Sequence, residues 1–268
     1  MRKLLAFTLL ILLSVPAMAQ DRVSQNDDWC DDDNWNNNLE KYCEVREYEL
    51  KSRDQVNVDG GQNGGISIIG WDKNEILVRA KVSGRARSER QARELVEEVE
   101  VSLRRTIEPD VPQKMSRWGR KASVSVSFEI YVPHETDLSL ETHNGGVRVK
   151  EINGDVDFDV LNGGVSLSDM AGNVSGHTTN GGVSVRLTGD SWEGEGLDVS
   201  TTNGGVTLKI PEDYSAKLVT GTVNGRLKFD FPVTVQGNLD RKITTKLGSG
   251  GKTIRVMTTN GGVSVKRS

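Results

Sequence analysis

The chain has 268 residues, with 34 Lys+Arg against 38 Asp+Glu and a formal net charge of −4. That balance argues against the strongly basic profile of a nucleic-acid-binding protein. With 35% hydrophobic residues, 5% aromatic residues and 29 glycines, the composition suits short strands joined by tight turns better than a thick α/β core.

Arg2 and Lys3 precede the apolar stretch Leu4–Val15, and Ala17-Met18-Ala19 sets small residues at −3 and −1 of a cut between Ala19 and Gln20. Residues 1–19 therefore read as a secretory signal peptide. Twelve apolar residues fall short of the roughly 20 that a membrane-spanning helix needs. No later segment is long and apolar enough either, so the mature chain is expected to carry no transmembrane segment. The expected location is the periplasm or the cell surface and beyond. Cleavage removes two cations, leaving 32 Lys+Arg against 38 Asp+Glu, or 32 − 38 = −6.

Residues 20–43 form an acidic, Cys-containing leader. Cys30 and Cys43 are the only two cysteines, and in an exported chain they predict a disulfide around the polar segment between them. Closing such a loop stabilises a fold by about 3 kcal/mol in the chain-entropy model. A zinc site would need His ligands that are not nearby. The Asp-rich run Asn26–Trp35 lacks the spacing of an EF-hand and reads as a solvated linker. No metal or other cofactor is expected.

Residues 44–135 read as a strand-and-helix capping region. Glu75–Gly84 has the composition of a strand. Ser88 and Gln91 stand in capping-box spacing before a helix with Leu95, Val96 and Val99 on one face. Val124, Val126, Phe128, Ile130 and Val132 then alternate with polar residues, as a half-buried strand requires.

Residues 136–268 carry a repeat. "TTNGGVSV" is written at Thr178–Val185 and again at Thr258–Val265, and "TTNGGVTL" begins at Thr201. Aligned Asn-Gly pairs stand at Asn63, Asn144, Asn162, Asn180, Asn203, Asn224 and Asn260. From Asn144 they are 18, 18, 23, 21 and 36 residues apart. One unit, Asn144–Leu161, has turn signals at Asn144-Gly145-Gly146 and at Asn153-Gly154, with Val147, Val149, Val156, Phe158 and Val160 alternating between them. The glycines Gly145, Gly146, Gly163, Gly164, Gly181, Gly182, Gly204, Gly205, Gly225, Gly261 and Gly262 are expected to supply positive φ at the corners, where Asn also tolerates the left-handed region.

Two architectures satisfy this pattern. Asn-Gly hairpins give an antiparallel meander; alternatively each unit is one coil of a β-solenoid, stacked on the next. Letter-for-letter copying is rewarded only by stacking, so the expected fold is mainly β: a β-solenoid of ~18-residue coils with an N-terminal α/β cap. Lys266 and Arg267 are expected to guard its final edge.

Little in the repeats suggests chemistry. Glu141, Asp159, His177 and Ser200 each lie three residues before an Asn-Gly-Gly and so share one column. An Asp-His-Ser relay is not expected there, because stacked strands are ~4.8 Å apart and no oxyanion hole is evident. Each Thr pair (Thr178-Thr179, Thr201-Thr202, Thr258-Thr259) presents only one outward hydroxyl, which argues against an ice-binding array. Trp192, in the extra loop Gly189–Asp198, is a candidate contact point.

The units "THNGGVRV", "LNGGVSL", "TTNGGVSV", "GEGLDVSTTNGGVTL" and "GTVNGRLKFDFPVTVQG", with "GQNGGISIIGWDKNEILVRAKV" upstream, resemble the bacterial putative adhesin family, an exported domain of unknown function with Asn-Gly-Gly strand repeats. The likeness runs from Tyr42 to the C-terminus and carries no catalytic or binding residues over. It implies an exported, non-catalytic, adhesin-like protein that presents a surface to an envelope protein or polysaccharide. An accessory or sensor in envelope-stress signalling is the second expectation, and a polysaccharide-active β-helix enzyme the third.

Overall fold

The computed structural model describes residues 22–25, 27–31, 39–111, 122–233 and 241–268; the signal peptide and the Ala19–Gln20 cut lie outside the described residues. The chain begins with β1 (Arg22–Ser24), a 3-10 turn at Asp28–Cys30, β2 (Glu40–Lys51), β3 (Gln55–Asp59), β4 (Ile66–Trp71) and β5 (Glu75–Ala86). Helix α1 (Glu89–Glu97), β6 (Glu100–Leu103), β7 (Thr106–Asp110) and β8 (Ser123–Pro133) follow. The repeats supply β9 (Asp137–Asn144), β10 (Val147–Ile152), β11 (Val156–Asn162), β12 (Val165–Met170), β13 (Asn173–Asn180), β14 (Val183–Arg186), β15 (Gly196–Asn203) and β16 (Val206–Ile210). Last come β17 (Ala216–Asn224), β18 (Leu227–Phe229), β19 (Lys242–Leu247), β20 (Thr253–Asn260) and β21 (Val263–Arg267).

The architecture is mainly β, with the strands shared between two sheets. One has eleven strands in the order β1-β2-β5-β8-β4-β10-β12-β14-β16-β21-β18; the other has ten, in the order β19-β17-β20-β15-β13-β11-β9-β3-β7-β6. Each repeat unit gives one strand to the ten-stranded sheet and then, after its Asn-Gly-Gly corner, one to the eleven-stranded sheet. Successive units pair in parallel: Val147 aligns with Val165, Val165 with Val183, and Val183 with Val206. Equivalent residues thus sit one above another, and a meander of Asn-Gly hairpins does not describe these pairings.

Period-two alternation sends Val147, Val149, Val156, Phe158 and Val160 between the sheets, where each is at most 2% exposed. Parallel stacking then joins the inward residues of every unit into one apolar cluster. Burial at about 25 cal/mol per Å² of apolar surface makes this interior the main driving force.

The corners are held by side-chain ladders. Asn162 Nδ2 donates to Asn144 Oδ1 at 2.9 Å, Asn180 to Asn162 at 2.8 Å and Asn203 to Asn180 at 2.9 Å. The ladder continues from Asn260 to Asn203 and from Asn224 to Asn260, both at 2.8 Å. Behind it, the hydroxyls of Thr178, Thr201 and Thr258 donate to the carbonyls of Gly163, Gly181 and Gly204. Asn and Thr are repeated because each copy bonds to its neighbouring copy.

The corner glycines have a different purpose from the expected one. None of the Asn-Gly-Gly glycines has positive φ; two non-glycine residues, Glu151 and Asp169, adopt it instead at the opposite corner. What the first glycine of each pair provides is room. A Cβ on Gly163 would lie 1.9 Å from the Gly145 carbonyl oxygen, and one on Gly181 equally close to that of Gly163. The second glycine is less constrained: a Cβ on Gly182 would sit 3.3 Å from the Gly205 oxygen, and Arg226 occupies this position after Asn224-Gly225.

The span 44–135 does two jobs. β3 and β4 are themselves the first unit of the stack, aligned with β9 and β10. β2, β5 and β8 extend the eleven-stranded sheet in antiparallel fashion, and α1 lays Ala92, Leu95 and Val96 against β5 and β2. Ser88 caps the helix by accepting from the Gln91 N–H, satisfying one of the donors a helix start leaves open.

The C-terminal end also differs from expectation. β21 lies between β16 and β18, and β20 between β15 and β17. Lys266 and Arg267 therefore guard no edge. The double-length gap from Asn224 to Asn260 holds β18, β19 and β20 rather than a further unit, and the antiparallel strand β19 borders β17 at the end of its sheet.

Candidate interaction surface

Outward residues of the stacked units form columns on two faces. On the eleven-stranded sheet the parallel register places Lys150 beside Ser168, Ser168 beside Arg186, Arg186 beside Lys209 and Lys209 beside Lys266. A second column, Arg148-Ser166-Ser184-Thr207-Ser264-Lys228, runs alongside. Arg186, Lys209 and Lys266 lie on three consecutive strands, so their anchor points are separated by only ~4.8 Å each. None of the three forms an ion pair with a described residue.

Carboxylates enter this face only at its margins. Lys150 pairs with Glu151 at 2.6 Å, and that hydrogen bond and charge raise the pKa of its ammonium group. Asp230, just past β18, accepts from the Arg267 backbone N–H. Like charges in register destabilise a sheet, so this rank is held in place by the burial beneath it. In an otherwise acidic protein it is a preformed row of cations flanked by hydroxyls. Sequence reading missed it, although the signal stands in four of the units, in "VRVK", "VSVR", "VTLK" and "VSVK".

On the opposite face the anticipated column is real. Asp159 aligns with Glu141 and with His177, and His177 aligns with Ser200. The five-residue insertion does not disturb the register, and side chains bridge the strand spacing: His177 Nδ1 is 3.0 Å from Ser200 Oγ. Its other ring nitrogen meets Thr202 Oγ1 at 3.1 Å. Both imidazole nitrogens are thus engaged by hydroxyls, and Asp159 does not orient the ring as a relay would require.

Trp192 packs inward rather than standing out from its loop. It is 6% exposed, belongs to the main apolar cluster, and its indole N–H donates to the Gly172 carbonyl at 3.0 Å. The loop folds back because Glu195 N donates to Gly172 O, while Gly172 N donates to Glu193 O. A lone Trp in a polar loop is compatible with either placement; here the ring joins the main apolar cluster while its N–H finds the Gly172 carbonyl.

The leader is docked onto the sheet. Cys30 and Cys43 form the expected disulfide, with Cα atoms 5.9 Å apart. Arg79 binds Asp27 at 2.6 Å, Glu47 at 2.9 Å and Glu129 at 2.6 Å. Burial alone would lower the Arg79 pKa, but the bonds to Glu129 and Glu47 and the Asp27 charge outweigh it and hold the guanidinium protonated. Trp29 lies against Arg79 and Lys81, whose charged groups are 5.7 and 5.5 Å from its ring. Asp27 of the acidic run is therefore paired with a cation. Among the described residues, no cluster of His, Cys, Asp and Glu has a metal-holding arrangement, and no helix is long and apolar enough to cross a membrane.

Among solved structures, the chain is similar to a putative cell adhesion protein from Clostridium sporogenes ATCC 15579, at 12% identity and TM-score 0.47, over 85% of this chain and 100% of that one. It is also similar to a putative adhesin from Bacteroides fragilis NCTC 9343, at 12% identity and TM-score 0.34, over 84% and 97%. A putative lipid binding protein from Parabacteroides distasonis ATCC 8503 aligns at 11% identity and TM-score 0.31, over 85% and 97%. No curated protein matches the chain. The family model Toastrack DUF4097 matches residues 136–266. That span takes in the repeat strands from β9 to β21, and over it the chain is similar to the Toastrack DUF4097 family.

Proposed function

We propose that the protein is an exported, non-catalytic β-solenoid with an N-terminal α/β cap, acting in an adhesin-like manner by holding an anionic polysaccharide of the cell envelope. The carrying observation is the rank Arg186-Lys209-Lys266 with its flanking Ser184, Thr207 and Ser264. A repeated acidic polymer meets such a row at several points at once, so weak single contacts add up. Hydroxyls beside each cation suit the mixed charge and hydroxyl pattern of an acidic sugar chain. The disulfide and the signal-like first nineteen residues support export.

The test is binding of purified protein to immobilised acidic and neutral envelope polysaccharides, with and without added salt. Retention by the acidic polymer should fall as salt screens the contacts. It should be lost in the triple variant Arg186→Ser, Lys209→Ser, Lys266→Ser, with the far-UV spectrum unchanged. Equal binding by the triple variant would overturn the assignment to this face. Cleavage of the polymer would overturn the non-catalytic role.

A further inference from the structure

The outer face of the ten-stranded sheet is charged in opposite senses at its two ends. On β3, β9 and β11 the outward residues include Asp59, Glu141 and Asp159, which are neighbours in register, together with Asp137, Asp157 and, one residue before β11, Asp155. None of these six forms an ion pair with a described residue. On β17 and β19 the outward residues include Lys217, aligned directly with Lys246, and Lys242, while β20 adds Arg255. Each end repels itself, because like charges opposite one another destabilise a sheet. Nothing in the stacking of the units requires this arrangement.

We propose that this face binds the same face of a second copy around a two-fold axis that lies in the interface, parallel to the strands and midway between β13 and β15. Such an axis reverses the strand order and preserves each residue's position along its strand. With the order β19-β17-β20-β15-β13-β11-β9-β3, it sets β3 over β19, β9 over β17 and β11 over β20.

The registers then place opposite charges together. Asp59 shares its column with Gly221 and hence with Lys242. Asp137 stands over Lys217, and Asp157 stands over Arg255. The two-fold doubles these three pairings. Arg255 also bonds Asp198 within its own copy, so its partner carboxylate joins a pair already present. A two-fold about the stacking direction would instead set acid on acid, so the charge pattern selects one orientation.

Eight strands at ~4.8 Å spacing and about eight residues in length present roughly 700–900 Å² per copy, within the range of specific interfaces. Faces of this kind pack ~10 Å apart with strands within about 30°, a gap that Lys and Asp side chains span. The cationic ranks of the eleven-stranded sheets then point outwards on both sides of the dimer. The pairing does not depend on which polymer those ranks hold.

Sedimentation of the purified chain tests it. The protein should be a dimer at low salt and dissociate as salt rises. The acid-reversed variant Asp59→Lys, Asp137→Lys and the base-reversed variant Lys217→Glu, Lys242→Glu should each weaken dimerisation by about 100-fold or more. Mixed in equal amounts, the two variants should form a heterodimer, because every reversed charge then meets its opposite; this also shows that both are folded. A wild-type chain that stays monomeric at low salt would overturn the proposal. So would variants that dimerise as well as wild type, or folded variants that remain monomers when mixed.

Discussion

The two glycines of a corner are alike in the sequence and unlike in space, and Gly181→Ala against Gly182→Ala separates them. A methyl group on Gly181 meets the Gly163 carbonyl oxygen at 1.9 Å and its carbon at 2.4 Å, so adjacent units must part by more than ~1 Å to restore ordinary contact. Three hydrogen bonds run through that spot. Asn180 Nδ2 donates to Asn162 Oδ1 at 2.8 Å, Gly163 N to Asn180 O at 2.9 Å, and Thr178 Oγ1 to Gly163 O at 2.8 Å. At about 1 kcal/mol each, their loss costs about 3 kcal/mol, a large share of the roughly 5–15 kcal/mol that holds a typical domain together. On Gly182 the methyl stands 3.3 Å from the Gly205 oxygen and needs a shift of tenths of an ångström. The reduced freedom of the unfolded chain offsets that by about 0.4–1 kcal/mol. Urea unfolding followed by far-UV circular dichroism should lower the midpoint for Gly181→Ala and leave Gly182→Ala within about 1 kcal/mol of wild type, at constant slope. Equal loss in both variants would refute a steric origin for the first glycine.

Val160 stands in register with Thr142 and Thr178, where those hydroxyls bond corner carbonyls; Val160→Thr should raise stability by about 0.5–1.5 kcal/mol in the same urea assay. Trp192→Ala opens a cavity in the interior and should cost about 3–5 kcal/mol, with Trp192→Phe retaining most of that. Replacing Cys30 and Cys43 by Ser should cost about 3 kcal/mol and expose residues 22–31 to limited proteolysis before the repeats are cut. Burial, with the charges of Asp190 and Glu193, pushes the Tyr214 phenol from 10.0 up to about 12. The resulting stability is complete below pH 10.0 and is lost as pH rises towards 12; Tyr214→Phe should flatten that decline in unfolding measured across the interval.

Alternation made most strands readable in advance. Val124 to Val132 lies in β8 and Ser88 opens α1, because a two-residue or 3.6-residue period is a local property of the chain. The corner glycines were recognised, but composition does not say whether a missing Cβ serves a torsion angle or a neighbour's approach; only stacking distinguishes them. Glu151 takes the left-handed conformation that its residue type does not advertise, and Asp169 takes it at the equivalent position of the next unit. The position of β20 and β21 in the stack was hidden for a simpler reason. Seven near-identical units fit beside one another in many orders, and nothing in "TTNGGVSV" states which neighbour it meets. The cationic rank was equally hidden, since each unit contributes a single residue and the row exists only after register is established. His177 and Ser200 were correctly placed in one column, yet the contact between them was underestimated, because backbone spacing does not limit the reach of side chains.

The unit Thr253–Arg267 is seated between two units that precede it in the sequence. A chain that ends early therefore has a vacancy inside its stack, and β17 and β18 are left without their parallel neighbour. Synthesis of this unit is therefore what closes the stack: a copy cut short before Thr253 keeps an open seam, with unpaired strand edges exposed to proteases.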